Sequence, residues 1–329
     1  MQPPRFWFNS PDAPGWQARL LAPLAALYAG ETARRQTNQG YRAGVPVICI
    51  GNLNAGGTGK TPTAIAMAQH LMGRGRAVHI VTRGYKGRLE GPVRVDETRH
   101  TADQTGDEPL LLAAFTATWV AKDRAAGVRA AEDAGADVIL LDDGFQNPGV
   151  HKDLSLLVID AGQAFGNERV MPAGPLREPI EAGAQRAHAG VVIGPPAQRQ
   201  AFAARYGDRL GLPLVDGHLA PLQTGMDWDG LRVLAFAGIG RPAKFFATLR
   251  EAGAELVHGE SLDDHQPLTP ALMARLEQHA ASLGAQLVTT EKDAVRLPAS
   301  FRAKVITLPV RLDIQDWSAI DALLARLLP

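Results

Sequence analysis

What this chain has little of narrows its class before any motif is read. It carries one cysteine, Cys49, so no intrachain disulfide can form and packing alone must hold the fold, as suits a reducing compartment. Lys and Arg total 34 against 34 Asp and Glu, and a net charge of zero argues against a protein that coats nucleic acid. No run of about 18 apolar residues occurs, so no transmembrane helix is expected. The start, Met1-Gln2-Pro3-Pro4-Arg5, leads into polar turn residues rather than an apolar core, so no secretory signal is expected.

Aromatic residues are also scarce, yet Phe6, Trp7, Phe8, Trp16 and Tyr28 crowd the beginning of the chain. Trp16, Leu20, Leu24 and Leu27 recur at near-helical spacing. Arg5, Arg19, Arg34, Arg35 and Arg42 interleave with them, against only Asp12 and Glu31. Two readings fit this composition: a helix lying in a bilayer interface, and a helix docked on the protein core.

The remainder alternates strand and helix patterns, which implies a mostly parallel sheet flanked by helices. Strands are expected at Val45–Ile50, Ala77–Val81, Val138–Leu141, Leu154–Ile159, Gly190–Ile193, Val233–Phe236, Ala285–Thr289 and Lys304–Thr307. Helices are expected at Thr61–Gly73, Asp107–Ala117, Asp123–Ala134, Pro242–Glu251, Pro270–Leu283 and Asp316–Leu328. At 329 residues two domains are expected. The polar connector Leu219–Gly230 puts a boundary near Thr224. The resulting division is an N-terminal helical region (1–40), a core (41–224) and a second, smaller α/β domain (225–329).

The most informative segment runs from the apolar strand at Val45 through Asn54-Ala55-Gly56-Gly57-Thr58-Gly59-Lys60-Thr61. Glycines at 56, 57 and 59 let successive N–H groups curl inward around phosphate oxygens. Lys60 adds a point charge for the β/γ-phosphates, Thr61 a hydroxyl for Mg²⁺, and the helix from Pro62 aims its dipole at the same anion. The usual pattern opens on glycine, where this chain has Asn54. The segment therefore reads as a P-loop-type nucleotide site.

Further segments carry chemistry once a P-loop is present. Asp142 and Asp143 end an apolar strand, where acids hold Mg²⁺ directly or through water; alternatively they form a strand-end turn with Gly144. Asp107, ahead of Glu108 and Pro109, is either a helix cap or a base. His265, beside Asp263 and Asp264, is either a base oriented by carboxylate or a surface histidine. The loops Thr82–Arg88 and Pro172–Pro179 present Arg83, Tyr85, Lys86 and Arg177 at glycine-relieved turns suited to phosphate or polar headgroups. Thr289–Asp293 marks another strand end with ligand-type residues.

In this order the segments resemble the tetraacyldisaccharide 4′-kinase family of lipid A biosynthesis, over nearly the whole chain. The resemblance is carried by Gly51-Asn52-Leu53, Gly56–Pro62, Thr82–Gly84, Gly106–Pro109, Asp142–Gln146, Pro172–Pro179, Asp264-His265 and Thr290–Asp293. That family also lacks the first P-loop glycine. The resemblance implies transfer of the ATP γ-phosphate to the 4′-hydroxyl of a membrane-held tetraacyldisaccharide 1-phosphate, giving lipid IVA. It makes Asp107 the proton acceptor assisted by His265, gives Lys60 and the 54–61 loop the phosphates, and gives Thr61, Asp142 and Asp143 the Mg²⁺. It makes Arg83, Tyr85, Glu108, Gln146, Arg177 and Glu178 candidate contacts for substrate. It also implies a monomer at the cytoplasmic face of the inner membrane, held there by the N-terminal helix. Departures fall at Asn147, where relatives carry His, and at Gln266-Pro267, where they carry an aromatic residue or His. A P-loop switch or assembly ATPase is the main competing class; its extra signature lysine is replaced here by Ala55. A membrane-surface binding protein with a vestigial nucleotide site is the third.

Overall fold

The computed structural model describes residues 3–37, 40–264 and 266–328. Thirteen strands among these residues are β1 (Val47–Gly51), β2 (Val78–Thr82), β3 (Val93–Arg94), β4 (Thr118–Val120), β5 (Val138–Asp142), β6 (Leu154–Asp160), β7 (Ala189–Ile193), β8 (Leu214–Pro221), β9 (Arg232–Ala237), β10 (Glu255–Ser261), β11 (Gln286–Thr290), β12 (Val305–Leu308) and β13 (Val310–Asp313). They form a nine-stranded sheet, β13-β8-β7-β6-β1-β5-β2-β4-β3, and a four-stranded sheet, β10-β9-β11-β12. The smaller sheet is wholly parallel, and the larger is parallel except at its two edge pairs, β3·β4 and β8·β13. All eight expected strands are present within a few residues, as the expected α/β class requires.

Burial explains which strands sit in the middle. β1 (VICIG), β5 (VILLD) and β6 (LSLLVID) are buried along their whole length, as strands covered by helices on both faces must be. β8 is only partly buried, and its mixed pattern carries too weak a period to be legible as a strand in the sequence. The helix Lys60–Met72 seats Ala64, Ile65, Met67, Ala68 and Leu71 on the larger sheet. Each such aliphatic side chain contributes roughly 1.5–3 kcal/mol on full burial. The helix Pro196–Leu210 buries Phe202, Tyr206 and Leu210 at four-residue spacing and stops at Gly211, whose φ of 62° is left-handed. The helix expected over 107–117 ends at Ala113, because the following residues are drawn into β4 beside β2.

The chain enters the second sheet after β8 and returns through β13, which pairs antiparallel with β8. The closing helix Ser318–Leu324 then docks on Lys60–Met72. His70 stacks on Trp317 with ring centroids 4.0 Å apart, and Asp321 accepts from His70 at 2.7 Å. Residues 310–328 thus join the larger sheet, whereas the sequence had placed all of 225–329 in the C-terminal unit.

The two lobes also meet through side chains. Asp160, at the carboxyl end of β6, is buried and accepts from Arg241 at 2.8 Å and from Lys244, both at the start of the helix Pro242–Glu251. Burial alone would raise the Asp160 carboxyl, but hydrogen bonding and charge from Lys244 and Arg241 outweigh it and hold it below its ordinary value. A depressed carboxyl stabilises the fold above its unfolded value near 3.8, and that contribution disappears as pH falls through the folded value. Asp160→Asn is expected to lower stability near neutral pH by about 3 kcal/mol and to flatten its dependence on acid pH, read by urea unfolding at both pH values. An unchanged neutral-pH midpoint would show that the cluster adds nothing.

Candidate functional site

The central strands β1, β5 and β2 run parallel and side by side, so their carboxyl ends lie together at one end of the larger sheet, where open parallel sheets form ligand crevices. β1 runs into Asn52 and the glycine-rich loop. Gly56 (φ 126°) and Gly59 (φ 100°) take backbone conformations closed to other residues, so glycine is required there. A Cβ on Gly56 or Gly57 would meet nothing within 4 Å, so open space lies beside both residues. A Cβ on Gly59 would lie 2.6 Å from Ile193, so this glycine also lets the helix approach the sheet.

The loop is braced by its own polar side chains. Asn52 donates to Thr58 Oγ1 at 3.0 Å and to the Gly56 carbonyl at 3.2 Å, and its Oδ1 accepts from Lys60 Nζ at 3.2 Å. Asn54 lies buried, with its side chain donating to the Ala164 carbonyl, and the Ala55 N–H donates to the Pro175 carbonyl. Asn54 and Ala55 therefore tie the loop to 164–175. Thr61 lies in the first turn of the helix and is only partly exposed.

Lys60 Nζ also faces Asp143 Oδ1 at 3.6 Å, and Arg177 grips Asp143 through two contacts of 2.8 and 3.3 Å. Desolvation opposes the ionised form of Asp143, but Lys60 and Arg177 outweigh it and keep its carboxyl below the usual range. Asp142 is the opposite case. It is fully enclosed, receives one long contact from Thr82 Oγ1 (3.4 Å), and leaves Oδ1 without a hydrogen-bond partner among the described residues. Burial, then the charges of Glu108 and Asp143, pushes its carboxyl up to about 7. A buried, unpartnered carboxylate oxygen beside an ionised one is a donor set short of a cation. Arg124, also buried, is held below its ordinary value by burial, which the nearby charges of Asp142 and Asp143 oppose without overcoming. No motif in the sequence pointed to Arg124.

The remaining sequence candidates separate into two groups. Asp107 is buried in the first turn of Asp107–Ala113, and its Oδ1 accepts from the Glu108 N–H at 2.9 Å. Its Oδ2 lies 3.9 Å from Arg296 Nε of the second lobe, and Glu108 accepts from Lys292 at 3.2 Å. Burial opposes the Lys292 ammonium, but Glu108, Asp107 and Asp264 together hold it above its ordinary value. Arg83 and Tyr85 stand exposed on the loop after β2, and Lys86 reaches the Asp264 carbonyl at 3.4 Å. Gln146 and Glu178 lie beneath the site instead: Gln146 donates to the Asn52 carbonyl and to Glu178, and Glu178 is buried against Arg186. Their side chains are spent on bracing. His265 lies outside the described residues. Arg186 and Arg296 belong to no recognisable motif, and only the folded chain reveals them.

The N-terminus divides in a similar way. Trp7 docks, donating to the Pro172 carbonyl at 3.0 Å. On the helices Trp16–Leu20 and Ala22–Gln36, Ala18 and Ala25 face inward, while Trp16, Leu20, Leu24 and Leu27 are each more than half exposed. No described helix is long and apolar enough to cross a membrane.

This fold and this site define a P-loop enzyme of the mostly parallel α/β class. Residues 17–328 match the family model for tetraacyldisaccharide-1-P 4'-kinase. The tetraacyldisaccharide 4'-kinase of Dinoroseobacter shibae is 61% identical, covering 100% of this chain and 98% of the relative. That of Jannaschia sp. (strain CCS1) is 57% identical, covering 100% and 99%. The crystal structure of LpxK from Aquifex aeolicus, described as an "apo" form in complex with ATP, superposes with a TM-score of 0.74 at 25% identity, covering 95% of this chain and 99% of that one. The chain belongs to the tetraacyldisaccharide 4′-kinase family and is an enzyme of that family.

The raised Asp142 carboxyl has a measurable consequence. The unfolded chain ionises this group above about 3.8, while the folded chain resists ionisation until about 7, so the group costs stability as pH rises between them. Asp142→Asn in metal- and nucleotide-free protein should therefore gain about 1–3 kcal/mol at pH 8, with little difference below pH 4, while losing turnover. Denaturant titrations at both pH values check the sign. A variant less stable than wild type at pH 8 would mean that Asp142 is stabilised by contacts its geometry does not show.

Proposed function

We infer that this protein transfers the γ-phosphoryl of ATP to the 4′-hydroxyl of a tetraacyldisaccharide 1-phosphate, with Mg²⁺ as the companion ion. The observation that carries the reading is the gathering of Lys60, Asp142 and Asp143 at the carboxyl ends of β1 and β5, beside a glycine loop with open space next to it and within reach of the charge of Glu108, the neighbour of Asp107. The 56–61 backbone and the helix dipole bind phosphate, and Lys60 neutralises charge on its β/γ oxygens. Thr61, Asp142 and Asp143 would hold Mg²⁺, and the unpartnered Oδ1 of Asp142 supports that assignment. When bound, the metal offsets negative charge on the phosphates.

Asp107 accepts the proton of the attacking hydroxyl, with His265 as its assistant. Its place in the first turn of a helix and its bond from the Glu108 N–H fix the orientation of the carboxylate. Arg177 lies on Asp143, within the phosphate-facing cluster, and is a contact for nucleotide. Arg83 and Tyr85 stand exposed at the rim, where a polar headgroup would lie. The exposed stripe Trp16, Leu20, Leu24 and Leu27 supports contact with the bilayer that holds the acceptor, at the face where ATP is available. The protein acts as a monomer on this reading, divided into 1–40, 41–224 and 225–329 apart from the returning C-terminal segment.

The test is an assay with radiolabelled ATP, Mg²⁺ and tetraacyldisaccharide 1-phosphate in detergent, with the product identified by mass. Wild type should add one phosphate to the acceptor. Asp107→Ala should lower kcat by about 10²–10⁴ with KM for ATP little changed, Lys60→Ala should impair both, and His265→Ala should lower turnover more than ATP affinity. Unchanged turnover in Asp107→Ala and His265→Ala would remove the proposed pair. ATP hydrolysis with no acceptor phosphorylation would favour a switch-type ATPase.

A further inference from the structure

Arg296 lies just past the short helix Glu291–Ala294, which follows β11 in the smaller sheet, and its side chain is 11% exposed. Two of its donors are used within its own lobe. Nη1 donates to the Gln266 carbonyl at 2.8 Å, and Nη2 donates to Asp293 Oδ1. Asp293 is itself fully buried, accepting from the Gly238 N–H and from Thr290 Oγ1, so Arg296 is anchored to the carboxyl ends of β9 and β11. The third donor, Nε, is buried, has no hydrogen-bond partner among the described residues, and points across the lobe boundary to Asp107 Oδ2 at 3.9 Å.

That distance is within ion-pair range but about 1 Å longer than a charge-assisted hydrogen bond. An arginine kept only to stitch its own lobe together has no reason to leave a buried N–H unbonded, because that costs stability. The neighbouring pair Lys292–Glu108 runs in the same direction, base on the smaller lobe and acid on the larger. The planar guanidinium spreads its donors over three nitrogens in fixed directions; a lysine ammonium carries its three donors on one atom and cannot reach acceptors set this far apart.

We propose that Arg296 is a positioning residue for phosphoryl transfer, one whose guanidinium fixes the Asp107 carboxylate and the Gln266 carbonyl relative to each other across the lobe boundary. It acts through Asp107 and touches neither nucleotide nor acceptor. The inference rests on the reading of Asp107 as proton acceptor. It adds that the geometry of that group is set from the second lobe, so the smaller sheet contributes to turnover through a contact that no ATP-binding element makes.

The experiment compares wild type, Arg296→Lys and Arg296→Ala in the acceptor assay, with melting temperature measured on each and with methylguanidinium added to the alanine variant. Wild-type turnover is established first; if it is absent, the proposed function fails rather than this inference. The expected result is a kcat lowered about 100-fold in Arg296→Ala and about 10-fold in Arg296→Lys, with KM for ATP within about twofold of wild type. Methylguanidinium should restore several-fold turnover to Arg296→Ala. Should the alanine variant not fold, Arg296→Lys decides, since it keeps the charge and loses the fork. Wild-type kcat in Arg296→Lys, or methylguanidinium raising the melting temperature of Arg296→Ala without raising its turnover, would overturn the proposal and leave Arg296 a structural residue.

Discussion

The interaction on which the rest of the site depends is the unequal treatment of two adjacent carboxylates. Lys60 and Arg177 hold Asp143 ionised, while Asp142 is sealed beneath it with one oxygen unsatisfied and its carboxyl pushed up. Neither state arises from the Asp-Asp dipeptide itself. β5 delivers Asp142 into the sheet interior, and Asp143, with a φ of 54°, turns the next side chain out toward Lys60. The strained backbone at Asp143 and the desolvated Asp142 are both costs, borne by the strands packed around them. Such costs at the edge of a well-packed sheet are what a site prepared for a cation and phosphates should show.

A second regularity lies in the sign of the contacts between lobes. On the site side of the boundary the larger sheet offers Asp107, Glu108 and Asp160, and the smaller lobe answers with Arg296, Lys292, Arg241 and Lys244; at the returning strand β13 the sense reverses, with Arg311 gripping Glu291. The two clusters attach to different places, one beside Asp107 and one at the end of β6. Charged contacts of this kind fix register between lobes while burying little apolar surface. The chain crosses between the lobes twice, and the crossings lie side by side, with the Leu222 N–H donating to the Pro309 carbonyl.

Much of the fold was legible in the sequence because the central strands are covered on both faces. Val47–Ile50, Val138–Leu141 and Leu154–Ile159 read as continuous apolar runs for that reason. β3, β8 and β13, at or next to the ends of the sheet, left no comparable trace, since partial exposure permits mixed composition, and β4 is only three residues long, too short to show a period. The helix Pro196–Leu210 was hidden by the paired prolines at its start, which look like a loop but serve as N-cap and first helical position. The phosphate loop and the Asp142-Asp143 pair were legible because their chemistry is local: glycines for positive φ, a lysine and acids at a strand end.

What the sequence determined by itself was therefore the class of site and the strands that carry it, through short-range rules of backbone conformation and burial. Tertiary structure decided the rest. It placed Gln146 and Glu178 under the loop as braces, returned residues 310–328 to the first sheet, and set Arg296 against Asp107, from which it is far removed along the chain. Those outcomes depend on which buried polar groups find partners once the lobes meet, and no periodicity along the chain encodes that.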